Sequence, residues 1–95
     1  MKIISLSKKI GENLGHRSNA AEFREEILRL NEPVQLDFSG VKIVSYSFAD
    51  EFFGRLANEF GKDVFRTRII VKNLRPESQS VMRAAIENRT KNNVA

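Results

Sequence analysis

The stretch Val34-Gln35-Leu36-Asp37-Phe38-Ser39-Gly40-Val41-Lys42-Ile43-Val44-Ser45-Tyr46-Ser47-Phe48-Ala49-Asp50-Glu51 decides the fold. Val34 to Phe38 is an apolar run of strand length, and Ser39-Gly40 breaks it. Val41 to Val44 crosses to a segment where Phe48, Phe52, Phe53, Leu56 and Phe60 recur at helical spacing. Ser47 and Asp50 stand three apart, close to a capping box, so the Ser47 hydroxyl is expected to accept the Asp50 amide. Asp50 and Glu51 then sit in the first turn, where the helix dipole is positive. Gly61 is expected to end the helix in a left-handed conformation. The phenylalanines are expected mostly in the core, Phe52 and Phe53 included. An exposed member of that adjacent pair would mark an interface.

Upstream, Lys2 to Leu6 is β-rich and reads as a first strand. Ser7 to Leu14 reads as a hairpin arm or a loop. Gly15-His16-Arg17-Ser18 looks like a turn into a helix capped by Ser18 or Asn19. Ala20, Phe23, Ile27 and Leu30 share one face of that helix, and Glu22, Arg24, Glu25, Glu26 and Arg29 occupy the others. Asn31-Glu32-Pro33 ends it. Downstream, Thr67 to Lys72 is expected as a third strand. Its consecutive Ile69, Ile70 and Val71 suit a strand covered on both faces. Pro76 opens a last helix with Val81, Met82, Ala85 and Ile86 inward. Residues 91–95 are expected to fray.

Strands that alternate with helices imply an α/β fold. The expectation is a small mixed or mostly parallel sheet of three to four strands with three helices, in a single domain over residues 1–90. The central and third strands should be parallel, since a helix joins them. If the first strand is parallel too, Gly15–Arg17, Ser39–Ser47 and Asn73–Arg75 gather at the carboxyl edge, where open α/β sheets bind ligands.

Composition removes several chemistries. There is no cysteine and His16 is the sole histidine, which leaves too few nitrogen or sulfur ligands for a transition-metal site. His16 with Ser45 or Ser47 and Asp50 resembles a triad in composition only, without a nucleophile elbow or oxyanion-hole glycines. No catalytic residue, cofactor or metal is therefore expected. Early lysines argue against a signal peptide, and no apolar run approaches membrane-spanning length, so the cytoplasm is the expected location. Net charge is +4, and residues 62–75 alone carry Lys62, Arg66, Arg68, Lys72 and Arg75 against Asp63. Such a patch suits a solvated rim, or contacts to nucleic acid.

Asp37-Phe38-Ser39-Gly40-Val41 resembles the strand end of STAS domains, as found in anti-sigma-factor antagonists. Gly15-His16-Arg17 and Ser47-Phe48-Ala49-Asp50-Glu51 resemble more closely a group of small bacterial STAS-like domains of uncharacterised function. The resemblance spans roughly residues 1–88. It implies a non-catalytic regulatory module whose usual partner is a kinase of the histidine-kinase-like ATPase fold. In the antagonists that kinase phosphorylates a serine in the turn before the second helix. Here Tyr46 stands at the acceptor position and Ser45 replaces the preceding aspartate, so the neighbouring Ser47 and Ser45 are the candidate phosphoacceptors. The candidate partner surface is Arg17, Ser45, Ser47, Asp50 and Glu51. Asp50 and Glu51 otherwise serve as helix-capping acids, and Arg17 as their intramolecular ion-pair partner. The alternative is an accessory domain that binds nucleic acid through Lys62, Arg66, Arg68, Lys72 and Arg75.

Overall fold

The computed structural model describes residues 1–91. Its central strand β3 (Val34–Asp37) lies between β1 (Lys2–Ser5) and β5 (Ile69–Lys72), and both pairings are parallel. The first strand therefore runs with the other two, as helical connections between strands of one sheet imply. A second parallel pair joins β2 (Asn13–Leu14) to β4 (Ile43–Val44). Ser7 to Leu14 is thus neither a hairpin arm nor a plain loop. It forms a one-turn helix α1 (Leu6–Lys9), capped by the Ser5 hydroxyl, and then β2. Four-residue α1 was hidden because a single turn shows no periodicity.

Three longer helical segments complete the α/β fold. These are α2 (Arg17–Leu30), a continuous helix over residues 46–60, and α6 (Pro76–Thr90). The 46–60 helix consists of α3 (Tyr46–Ala49), a π-helical turn (Asp50–Gly54) and α4 (Arg55–Phe60). Gly61 ends it with φ 88° and ψ 160°, so φ is positive as expected but the residue is extended rather than in the left-handed α conformation. The third strand starts later than expected: α5 (Val64–Thr67) takes up its first residue and β5 begins at Ile69. Lys91 follows α6, and residues 92–95, most of the expected frayed tail, lie outside the described residues.

Register explains which side of the sheet is core. Val34 and Leu36 are fully buried, and they pair across with Ile69 and Val71 on one side and Lys2 and Ile4 on the other. Side chains alternate along a strand, so Ile3, Gln35 and Ile70 form a row on the opposite face. There Ile3 is 65% exposed and Ile70 is half-buried. The second face of the sheet is thus covered at Ile70 only in part, less than the continuity of Ile69-Ile70-Val71 leads one to expect.

The π turn sets the core. The Arg55 amide donates to the Asp50 carbonyl five residues back, which widens the helix and narrows the angle between successive side chains. Glu51, Phe52 and Phe53 all turn inward as a result, and neither phenylalanine is exposed. Phe52 stacks on Phe23 at 5.5 Å between ring centres and meets Phe53 edge-on at 5.1 Å. Phe60 departs from the expectation: it is 43% exposed, with the Arg68 guanidinium 5.6 Å above its ring. It is the last residue of its helix.

Candidate functional site: an arginine-clasped helix tip

Pairing of β2 with β4 brings the starts of two helices side by side. The Ser45 amide donates to the Leu14 carbonyl, and the Ser45 hydroxyl donates to the Gly15 carbonyl at 3.1 Å. The same hydroxyl accepts the Phe48 amide at 3.1 Å, so Ser45 is the N-cap. This corrects the assignment of the cap to Ser47, which lies one residue inside the helix and is exposed. The helix starts earlier because β4 delivers Ser45 in the extended conformation a cap requires. At α2 the cap is His16, with no side-chain bond, rather than Ser18 or Asn19. We expect Ser45→Ala to cost about 0.5–2 kcal/mol in urea unfolding, and Ser47→Ala to leave the midpoint nearly unchanged.

One turn into the helix, Asp50 and Glu51 are held by four arginines. Arg89 of α6 grips Asp50 with two bonds, Nε to Oδ1 at 2.7 Å and a terminal nitrogen to Oδ2 at 2.9 Å. Arg17 donates to Asp50 Oδ2 at 2.9 Å and to Glu51 Oε1 at 3.1 Å. Arg24 reaches Glu51 Oε2 at 2.8 Å and the Glu51 carbonyl at 3.3 Å, and Arg55 adds a bond to Oε2 at 3.3 Å. Gly54 permits the clasp: a Cβ there would stand 2.7 Å from Arg89 Cγ and 3.2 Å from the Ala85 carbonyl. Any side chain at Gly54 would therefore push α6 away from Asp50.

The acids read as partner-facing thus turn inward. The Asp50 and Glu51 side chains are 14% and 9% exposed, while those of Arg17 and Arg55 are 46% and 50% exposed. Solvent at this place meets guanidinium rather than carboxylate. The ion pair of Arg17 with both acids, considered from the sequence, is present. Three participants were not foreseen: Arg24, Arg55 and Arg89. Arg24 had been assigned to an outer face of its helix, yet it is buried. Its position four residues after Ala20 and three before Ile27 is an apolar-face position, and a charge there needs a partner.

The Arg89 hydrogen bonds, then those of Arg17, hold the Asp50 carboxyl down at about 2 against partial burial. A depressed carboxyl stabilises the fold above its ordinary value of 3.8, and the stability is lost as pH falls toward 2. Acid unfolding of the wild type should therefore show a loss between these values that Asp50→Asn, measured against its own neutral-pH stability, lacks. Asp37 is also lowered, first by the Asn73 side chain and then by the Ser39 amide, at the carboxyl end of β3.

Tyr46, four residues before Asp50 on the same helix, is 43% exposed, and Ile43 of β4 is 59% exposed near Ser78 and Val81 of α6. The Tyr46 hydroxyl accepts a hydrogen bond from Asn88 of α6. The basic residues of 62–75 do not converge on one point. Lys62, Arg66 and Arg68 precede β5, whereas Lys72 ends it and Arg75 precedes α6. From Arg68 to Lys72 the chain advances ~13 Å. Arg68 also spends its guanidinium on Phe60 and on the Leu28 carbonyl.

A family model for a STAS-like domain of unknown function (DUF4325) matches residues 19–79. The chain belongs to this family. The match spans most of α2, then β3, β4, the 46–60 helix, β5 and the start of α6; of the clasp it includes Arg24, Asp50, Glu51 and Arg55, while Arg17 and Arg89 lie outside it. The fold expected from the strand end at Asp37-Phe38-Ser39-Gly40-Val41 is accordingly that of a STAS-like domain. No curated protein and no solved structure gives a match to the chain. Among the described residues of this STAS-like domain, no helix is long and apolar enough to cross a membrane.

Proposed function

We propose that this STAS-like domain is a non-catalytic regulatory module that acts in the cytoplasm and binds a protein partner at the tip of the 46–60 helix. The direct contacts are Arg17, Ser45 and Ser47 together with Tyr46 and Ile43. Asp50 and Glu51 act from beneath by fixing Arg17. The observation that carries the reading is the exposure of Tyr46, which opens the helix four residues before Asp50, and of Arg17, which is bonded to Asp50, over a base clasped by ion pairs. Tyrosine and arginine are the residue types that dominate binding energy at protein interfaces, and a rigid base lowers the ordering cost of association. A kinase-like ATPase is the partner class that the STAS likeness suggests. Phosphate on exposed Ser47 would add about −1.5 to −2 charge beside Asp50 and compete for Arg17, so it would alter this surface.

The test is comparative capture. Partners retained by the wild type should be lost from Tyr46→Ala and kept by the double variant Lys62→Gln/Arg66→Gln. If Tyr46→Ala keeps every partner, the tip is not the binding surface. If only the double variant loses partners, and does so with steep salt dependence, the basic segment is the active surface instead.

A further inference from the structure

Among the described residues, the ions of the clasp do not balance. Arg17, Arg24, Arg55 and Arg89 supply four positive charges, and Asp50 and Glu51 supply two negative ones. Three guanidinium groups meet at the Glu51 carboxylate alone. Arg24 is buried, and Arg89 has both bonding nitrogens committed to Asp50. The surplus therefore resides on Arg17 and Arg55, each bound through a single terminal nitrogen and about half exposed. Both contact the same small carboxylate, Arg17 at Oε1 and Arg55 at Oε2, so each stands within one carboxylate group of the other. Each half-exposed guanidinium has further N–H donors beyond the one nitrogen that these bonds use, and such a fork matches a flat oxyanion.

We infer that Arg17 and Arg55 form an oxyanion-binding site on this domain, and that the group it takes is a carboxylate side chain of the protein partner. The biological role rests on the interaction reading above; the chemistry rests on the ion cluster alone. Glu51 is the positioning residue, since it holds both forks from below. A carboxylate arriving from solvent completes a shell in which each guanidinium is shared between an internal and an external acid. The ordering cost of association is lowered in the free protein, because Arg17 is already held against Asp50 and Glu51.

The experiment follows arginine Nε–Hε resonances of the intact chain during titration with succinate, inorganic phosphate and chloride at fixed ionic strength. Arg17 and Arg55 should shift saturably with succinate while Arg66 stays still. Arg17→Lys keeps the charge and loses the fork, and it should weaken saturation by about ten-fold, the equivalent of one hydrogen bond to a charged group. Tyr46→Ala should leave the titration unchanged, so this site and the partner-binding reading can fail separately. Absence of saturation, or equal shifts with chloride, overturns the site. Saturation by phosphate at lower concentration than succinate overturns the carboxylate assignment and moves the ligand to a phosphorylated group.

Discussion

Glu51→Ala is expected to destabilise the domain by about 3–5 kcal/mol, the range for removing one member of a buried ion pair. The Glu51 side chain is 9% exposed and Arg24, its closest partner, 10%. Alanine would leave the Arg24 guanidinium buried with only the residue-51 carbonyl as partner, and would free Arg55 and half of Arg17. The strongest part of the loss comes from Arg24, since the other two cations reach water. Arg55→Ala removes an exposed i,i+4 partner and should cost less than about 1 kcal/mol. Urea unfolding of the two variants checks both values, with the midpoint lowered and the slope kept. A Glu51→Ala loss under 1 kcal/mol would show that the clasp is peripheral to the fold.

The second large effect belongs to Phe52→Ala, expected to cost about 3–5 kcal/mol as a large-to-small change in a close-packed core. Phe52 is fully buried and touches the rings of Phe23, Phe48 and Phe53, so the cavity would open where α2 meets the π turn. Its neighbours are held by other elements and can collapse only in part. Phe60→Ala is the internal comparison. That ring is partly exposed and, among the described residues, meets the Arg68 guanidinium alone in ring and cation contacts, so truncation should cost roughly 1 kcal/mol or less. Similar losses for both variants would contradict the core as described.

Much of this arrangement is written in local pattern. The strand at Val34, the phenylalanine spacing and the stop at Gly61 are each decided by neighbours within about a turn. Parallel order then follows from the helices between the strands. What escaped lies in features without a local signature. A π turn leaves the same residue types at nearly the same spacing as an α-helix. It was visible only as an excess: two adjacent phenylalanines and an acid all needing the inner face. Arg24 carried a similar signal, as a charge on an apolar stripe. Arg89 had none, because its distance of thirty-nine residues from Asp50 is closed only by the packing of α6 at Gly54. The cap at Ser45 rather than Ser47 depended on β4, a two-residue strand too short to stand out from its surroundings.

The inward turn of Asp50 and Glu51 changes what the tip offers. A surface read as acidic presents an aromatic ring, hydroxyls and two arginine forks. Charge on the outside of the clasp is thus opposite in sign to the sequence motif that marks it. A partner selected by this surface should be acidic where it meets Arg17 and apolar where it meets Tyr46 and Ile43.

The most direct test is calorimetric affinity for a partner recovered in the comparative capture. The wild type, Tyr46→Ala and Arg66→Ala should be measured side by side at one salt concentration. Tyr46→Ala should weaken binding by about 2 kcal/mol or more, as expected of a central interface residue, and Arg66→Ala should change it little. Equal affinities for Tyr46→Ala and wild type, or a loss confined to Arg66→Ala, would contradict the helix tip as the binding surface.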